Sequence, residues 1–413
     1  GLGDVYKRQN FKLSRILLLS NGHGEDLSGS LLAKYFVKKG DLVHALPIVG
    51  DGENYKKVNI RIIGKTKKFR TGGIGYNSFS GRIFEIFGGQ IIYFFKKLYL
   101  SYKLRNKYDF YLVIGDIVPV FFAWFAKKDF FTYLVAYSSH YEGKLKLPWP
   151  CKFFLISKYA KKIYARDFLT ADDLTQQLRK KVSFLGNPFM DKFSFFENKS
   201  KPVSFNIGLF PGSRFPELLD NLKLILEVLE TMSKLQYFEN IVFKFAIVKA
   251  LSMEEIRQIL NQRKWIYIEK KGKNDGLEFR YGFITINLNW NLFEEILFES
   301  NFVISMAGTA SEQAIGLAKP VIQIEGNGPQ FTKSFAEAQR RLLGRYVFCS
   351  TNYINKKDQI NQTINLILKV IYLIKLDKKF LVSCLDNANL RIGESNSCLK
   401  TVSYTHLTLP TRS

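Results

Sequence analysis

Two short segments in the second half of the chain combine residue types that bind anions. The first is Pro211-Gly212-Ser213-Arg214, which follows an apolar run at 206–210 and precedes a stretch with helical spacing at 218–232. Gly212 permits a tight turn, Ser213 supplies a hydroxyl and Arg214 a fork-shaped cation. Pro216 and Glu217 suit the first turn of the helix that follows, where proline costs no hydrogen bond and an acid meets the positive end of the dipole. The second segment is SMAGTASEQA at 305–314. Gly308 allows close backbone approach, Thr309 and Ser311 are placed to cap a helix beginning near Ala310, and Glu312 lies one turn in. Two helix N-termini at a topological switch point can hold a nucleotide diphosphate, leaving the Glu312 carboxylate for ribose hydroxyls. Taken singly, each segment also has a plainer reading, as a strand-to-helix turn with a surface arginine and as a helix-capping acid.

Loops of this kind need strands that alternate with helices. In the first half, apolar runs at 16–20, 42–46, 111–114, 131–136, 153–156 and 182–185 read as strands, with a helix at 27–38. Continuous apolar runs separated by helical stretches indicate a parallel sheet covered on both faces. The polar, Pro-containing stretch 197–204 reads as a linker. The alternation then restarts, with strands at 206–210, 243–248, 265–268, 283–288, 302–305 and 321–324. Helices are expected at 218–232, 253–260, 292–298, 310–317, 331–342 and 359–376. The charged stretch 269–274 reads as a surface insertion. The domains expected are 10–196 and 205–375, with 376–400 as a helical segment packing back on the first.

The strings DVYKRQ at 4–9 and VSYTHL at 402–407 resemble translations of one sequencing-library transposon end, so residues 1–9 and 402–413 are expected to be non-native. The 413 residues carry a net charge of +25, which nucleic acid, an anionic membrane or an anionic substrate could explain. Lysine and arginine are spread along the chain and no RNA-binding aromatic signature occurs, so nucleic acid is the weakest of the three. Cys151, Cys349, Cys384 and Cys398 lack metal or redox spacing, which points to free thiols, a cytoplasmic location and no metal. No apolar run reaches the roughly 18 residues of a spanning helix. The stretch 82–107 places Ile83, Phe84, Phe87, Ile91, Phe94, Phe95 and Leu98 at helical spacing with basic flanks. By itself it reads as a core-packed helix with a solvated basic end, and a lipid-linked acceptor would make an interfacial helix on anionic lipid an equal reading.

Phe210 with the PGSR motif and Glu217, Gly186-Asn187-Pro188-Phe189-Met190-Asp191 before the linker, and the GTASEQA turn together resemble the lipid-A-disaccharide synthase family. The resemblance runs from Ile16 to about Gly344 and is best in the second half. It implies an α/β chain of the GT-B class: two Rossmann-like doubly wound parallel-sheet domains facing a central cleft. It also implies a UDP-sugar donor in the C-terminal domain, a lipid-linked acceptor in the N-terminal one, and no cofactor. The functionally important arginine of the family motif falls on Arg214, and the ribose-binding glutamate of related transferases on Glu312. With Gly212, Ser213, Glu217, Gly308, Thr309 and Ala310 these form the expected donor site. In related transferases the loop after the late strand contacts the donor sugar, which here places Gln330 in that role.

The first half departs from the family. A GEASGD-like turn is replaced by SNGHGED at 20–26, closer to a cyanobacterial-type branch of synthase-related proteins, and a GIDAPDFN-like motif by GDIVPVFF, which keeps Asp116 and loses a second aspartate. An inverting transfer needs a base to take the acceptor's proton. His23, in a Gly-flanked loop, takes precedence over Asp116, while Asp26 reads as an N-cap. Gly22, Gly24, Glu25, Asp26 and His140 are the expected acceptor-loop residues. The resulting expectation is transfer of a glucosamine-type sugar from UDP to a lipid-linked acceptor, by a protein peripheral on the inner face of the cytoplasmic membrane. Another glycolipid or cell-wall lipid-intermediate transferase, a UDP-sugar 2-epimerase and a non-catalytic relative are the alternatives.

Overall fold

Strand β1 (Arg15–Ser20) is an interior strand of the first sheet, and four of its residues, Ile16 to Leu19, have no exposed surface. Leu17 and Leu19 enter one core cluster and Ile16 and Leu18 another, as alternation along a strand covered on both faces requires. The computed structural model describes residues 13–67, 90–143, 145–196, 204–269, 276–326, 332–393, 398, 400 and 401. Two compact units are present: unit 1 comprises Gly1–Asp191 with Gly393–Ser413, and unit 2 comprises Lys192–Ile392.

In unit 1, β1 is followed by α1 (His23–Lys38), β2 (Leu42–Pro47), α2 (Glu53–Lys56), β3 (Arg61–Ile62), α3 (Gln90–Leu104), β4 (Phe110–Ile114) and α4 (Ile117–Phe125). Then come β5 (Phe130–Leu134), α5 (Ser139–Glu142), α6 (Cys151–Ile156), β6 (Ala160–Ala165), α7 (Phe168–Leu178) and β7 (Val182–Phe184). The seven strands are parallel, in the order β3-β2-β1-β4-β5-β6-β7. The sheet therefore reverses direction of growth at β1, and its ligand-binding edge is at the carboxyl ends of β1 and β4.

Unit 2 continues with β8 (Phe205–Phe210), α8 (Glu217–Met232), β9 (Ile241–Ile247), α9 (Met253–Gln262), β10 (Ile266–Ile268), β11 (Leu277–Tyr281), β12 (Ile284–Trp290) and α10 (Phe293–Glu299). It closes with β13 (Phe302–Ser305), α11 (Gly308–Gly316), β14 (Val321–Gln323), α12 (Lys333–Leu343), β15 (Val347–Cys349), α13 (Lys356–Leu376) and α14 (Lys378–Arg391). Its sheet runs β10-β11-β12-β9-β8-β13-β14-β15 and is parallel except for β11, which runs opposite to its neighbours β10 and β12. Helix α8 buries Leu218, Leu222, Ile225 and Leu229, a stripe of i, i+4, i+7 and i+11, against this sheet.

Three expectations need correction. Residues 153–156 belong to helix α6, not to a strand: Cys151, Phe154 and Leu155 face inward, and Phe154 packs on Phe121 and Trp124. A short apolar run does not distinguish the two states. The strand is β6, disguised by Lys161 and Lys162. The second sheet is mixed, because β11 and β12 form an antiparallel hairpin turning at Gly282 (φ 56°). The segment after residue 376 divides: α14 packs on α11 and α13 within unit 2, and residues from Gly393 onward belong to unit 1.

Candidate functional site

In unit 2, β8 and β13 are neighbours in register, Phe210 pairing with Ser305, so the loops that follow them emerge side by side. The backbone N–H of Met306 donates to the Phe210 carbonyl at 2.8 Å. Gly212, at φ 103°, comes so close to the second loop that a Cβ there would sit 3.1 Å from the Met306 carbonyl oxygen. The two loops line one open cavity of about 930 Å³. Ser213, Arg214, Glu217, Asn221 and Thr309 form its polar wall, and Phe210, Phe293 and Met306 are among its apolar residues.

Both helices present uncapped N-termini there. No side chain caps α8 at Pro216 or α11 at Ala307. The expected caps are absent: Thr309 is exposed at the cavity, and the Ser311 hydroxyl turns inward to Ser305 Oγ (3.0 Å) and the Ala307 carbonyl (2.9 Å). The positive ends of two helix dipoles make this wall electropositive. Arg214 adds a guanidinium that is exposed and makes no ion pair among the described residues. The cavity can accept a diphosphate.

Gly212, Ser213, Arg214, Glu217, Gly308, Thr309 and Ala310 are thus brought together. Glu312 is not: it sits half-buried in the second turn of α11, off the cavity wall. Gln330 lies outside the described residues. Asn221, which the sequence reading passed over, lines the cavity one turn beyond Glu217 and holds the first loop through Nδ2 to the Pro211 carbonyl (2.9 Å). Its i, i+4 spacing from Glu217 on α8 was the available signal.

In unit 1 the segment 20–26 is not a free loop. Helix α1 begins at His23, after an extended Gly22, and the Asp26 N–H donates to the Gly22 carbonyl at 2.8 Å. His23 is therefore an exposed first-turn residue, with Gly24 exposed beside it. Asp26 is no N-cap: it is 2% exposed and accepts from Ser20 Oγ at 2.6 Å, and Ser20 in turn accepts from the Tyr55 hydroxyl at 2.9 Å. Burial pushes the Asp26 carboxyl up to about 7, with Glu25 and Asp51 adding to the rise and Ser20 and Lys97 opposing it. Lys97 on α3 is also buried, donates to the Pro47 carbonyl at 2.9 Å, and is lowered by desolvation to about 8.

Asp116 caps α4, accepting from the Val118 N–H at 2.9 Å, and takes the Asn21 amide on both oxygens, at 3.3 and 3.0 Å. Burial raises its carboxyl, against those hydrogen bonds. Glu25 is raised by burial and secondarily by Asp116, and its side chain crosses Gly115, where a Cβ would meet Glu25 Cγ at 2.9 Å. The structure therefore joins Asp116, Glu25 and Asn21 at the β1–β4 edge. His140 belongs to a different set, with Nε2 3.8 Å from Asp167, a carboxylate that also receives Ser138 and Thr170. Among the described residues, no group of three or more His, Cys, Asp or Glu is placed to hold a metal.

No protein-family model matches the chain, and no curated protein sequence matches it. Solved structures do. MurG of Acinetobacter baumannii superposes over 95% of this chain and 98% of its own, at 14% identity and a TM-score of 0.56. The kitacinnamycin glycosyltransferase covers 97% and 100%, at 10% identity and a TM-score of 0.56. The UDP-GlcNAc 2-epimerase of Neisseria meningitidis, bound to UDP-GlcNAc, covers 95% and 99%, at 12% identity and a TM-score of 0.52. At such identities the likeness establishes the fold: this chain is an α/β protein of the GT-B class, built from two Rossmann-like units.

Proposed function

We propose that the chain is a glycosyltransferase that takes a glucosamine-type sugar from a UDP donor and delivers it, with inversion, to a lipid-linked acceptor at an anionic membrane surface. The observation that carries this reading is the unit 2 cavity, where two uncapped helix N-termini and Arg214 converge. The PGSR and GTASEQA motifs, and a fold shared with an epimerase bound to UDP-GlcNAc, support UDP-sugar as its occupant.

In this reaction the acceptor oxygen attacks the anomeric carbon, the bond from that carbon to the β-phosphate oxygen breaks, and the hydroxyl proton passes to a base. Ser213, Arg214 and the N–H groups of α8 and α11 take up the charge on departing UDP. Unit 1 supplies the base. Asp116 is better suited than His23, because Asn21 and the Val118 N–H hold its carboxylate in place whereas His23 is exposed.

Helix α3 supports the lipid. Among the described residues, no helix is long and apolar enough to cross a membrane. On α3, however, Ile92, Phe95 and Tyr99 are 62%, 60% and 65% exposed although Leu98 and Leu104 already give the helix a buried apolar face, so it carries a second apolar face toward solvent. Phe125 on α4 and Phe153 on α6 extend the exposed apolar face, joined to it through Tyr102 and Trp124. Exposed Lys96, Lys103 and Lys152 accompany it. Apolar side chains amid lysines fit an anionic interface.

Thermal shift with UDP, UDP-GlcNAc, UDP-glucose and an acylated UDP-glucosamine tests the donor site. Stabilisation by uridine nucleotides that disappears in Arg214→Ala is expected, and no response to any of them would sink the reading. A UDP-sugar 2-epimerase is the second reading, favoured by the shared fold. It predicts a rearranged sugar with no lipid present.

A further inference from the structure

Asn21 follows β1 directly and is 1% exposed, yet only half of its amide is engaged. Nδ2 donates to Asp116, at 3.0 Å to Oδ2 and 3.3 Å to Oδ1. The carbonyl oxygen of the same amide is buried and has no hydrogen-bond partner among the described residues. Rotating the amide would set its oxygen against the Asp116 carboxylate, acceptor against acceptor, so the hydrogen-bond pattern fixes the orientation. A buried amide oxygen left unpaired is costly, and folded proteins complete such groups with water or ligand. An amide oxygen can only accept, so the missing partner is a hydrogen-bond donor, as a sugar hydroxyl is.

We propose that Asn21 is the positioning residue of the base: its Nδ2 holds Asp116, and its Oδ1 accepts a hydrogen bond from the hydroxyl-bearing substrate that Asp116 deprotonates. The inference rests on the transferase reading for its second half only. Asp116 is faced by Glu25 from α1, by the Cys151 thiol from α6, by Asn21 after β1 and by the Val118 N–H of α4. The Tyr137 hydroxyl accepts from the neighbouring Ile117 N–H at 3.0 Å. Burial opposes the ionised carboxylate, Val118 and Asn21 favour it, and the Asp116 charge in turn raises the Glu25 carboxyl.

The test titrates the carbon-13 carboxyl signals of aspartate-labelled full-length protein, with Asp116 assigned through Asp116→Asn. Removing the amide donor in Asn21→Ala should raise the Asp116 midpoint by on the order of one pH unit. Isosteric Asn21→Asp, which keeps the packing and adds a like charge, should raise it further. An unchanged midpoint in both overturns the holding role. In a second arm, UDP release from UDP-GlcNAc is followed with pH. Asn21→Ala should lower kcat by roughly tenfold or more, leave the donor KM unchanged, and move the ascending limb upward with the carboxyl midpoint. A change confined to KM, or an unmoved limb, overturns the substrate-facing role. If the unaltered protein releases no UDP from any uridine donor, the transferase reading falls together with that role, while the titration still decides whether Asn21 governs Asp116.

Discussion

Replacing Asp26 by asparagine should stabilise unit 1 at neutral pH, although it removes a buried carboxylate that accepts a 2.6 Å hydrogen bond. Burial raises the Asp26 carboxyl from the ordinary 3.8 to about 7, so the folded chain keeps its proton to a higher pH than the unfolded one. A group whose pKa is raised by folding contributes its full share below the unfolded value and loses it as pH climbs through the folded one. At about 1.4 kcal/mol per unit, the rise corresponds to about 4 kcal/mol lost between about pH 4 and pH 7. Asparagine keeps an oxygen for Ser20 Oγ and never ionises. The variant should therefore match the parent near pH 4 and exceed it by up to about 4 kcal/mol near pH 8. Part of that gain is returned, because Lys97 loses the Asp26 charge that supports its own buried charge. Urea unfolding followed by tryptophan fluorescence measures this, in a background where Trp265 and Trp290 are phenylalanine so that Trp124 and Trp149 report on unit 1. A stability difference that stays constant across that pH range would refute the reasoning, since it would mean that desolvation of the carboxylate is not what Asp26 contributes.

Gly212→Ala forces a side chain into φ 103° and against the Met306 carbonyl, so it should cost on the order of 1–3 kcal/mol of unit 2 stability and weaken UDP binding; urea midpoints and calorimetric titration check both. Changing Ile92, Phe95 and Tyr99 together to serine should reduce binding to phosphatidylglycerol vesicles in sedimentation, with little effect on melting temperature, because these side chains are already exposed in the folded chain. Equal vesicle binding by the triple variant would remove the membrane face from consideration.

The two loops that line the unit 2 cavity were legible in the sequence because their placement follows from chain order alone. In a doubly wound sheet the first strand of a half and the strand that opens its second arm are neighbours, so whatever follows β8 and β13 must meet. Glu312 shows the limit of that argument. The loop fixes which residues reach the cavity from the first turn of α11, Gly308 to Ala310, but a residue one turn further on is aimed by helix rotation and by packing, which no motif records. The same limit hid how α3 divides its apolar residues: spacing identifies them, but that Leu98 and Leu104 are buried beside Lys97, which the Pro47 carbonyl receives, while Ile92, Phe95 and Tyr99 are exposed is decided by packing.

In unit 1 the decisive relation spans the sequence rather than a motif. His23, Glu25 and Asp26 attract attention as titratable residues near a glycine turn, and Asn21 does not. What singles Asn21 out is the register of β1 against β4, in which Ser20 pairs with Ile114. One step beyond that pair, the chain ends of two strands carry Asn21 and Gly115-Asp116 out of the sheet together. Gly115, at φ 132°, leaves room for Glu25 to cross above it. A one-residue slip of either strand would turn its side chains to the opposite face and separate the amide from the carboxylate. The pairing of Asn21 with Asp116 is thus a property of the sheet. The buried apolar residues 16–19 and Phe110–Ile114, which carry no chemistry themselves, fix that register and with it the position of Asp116.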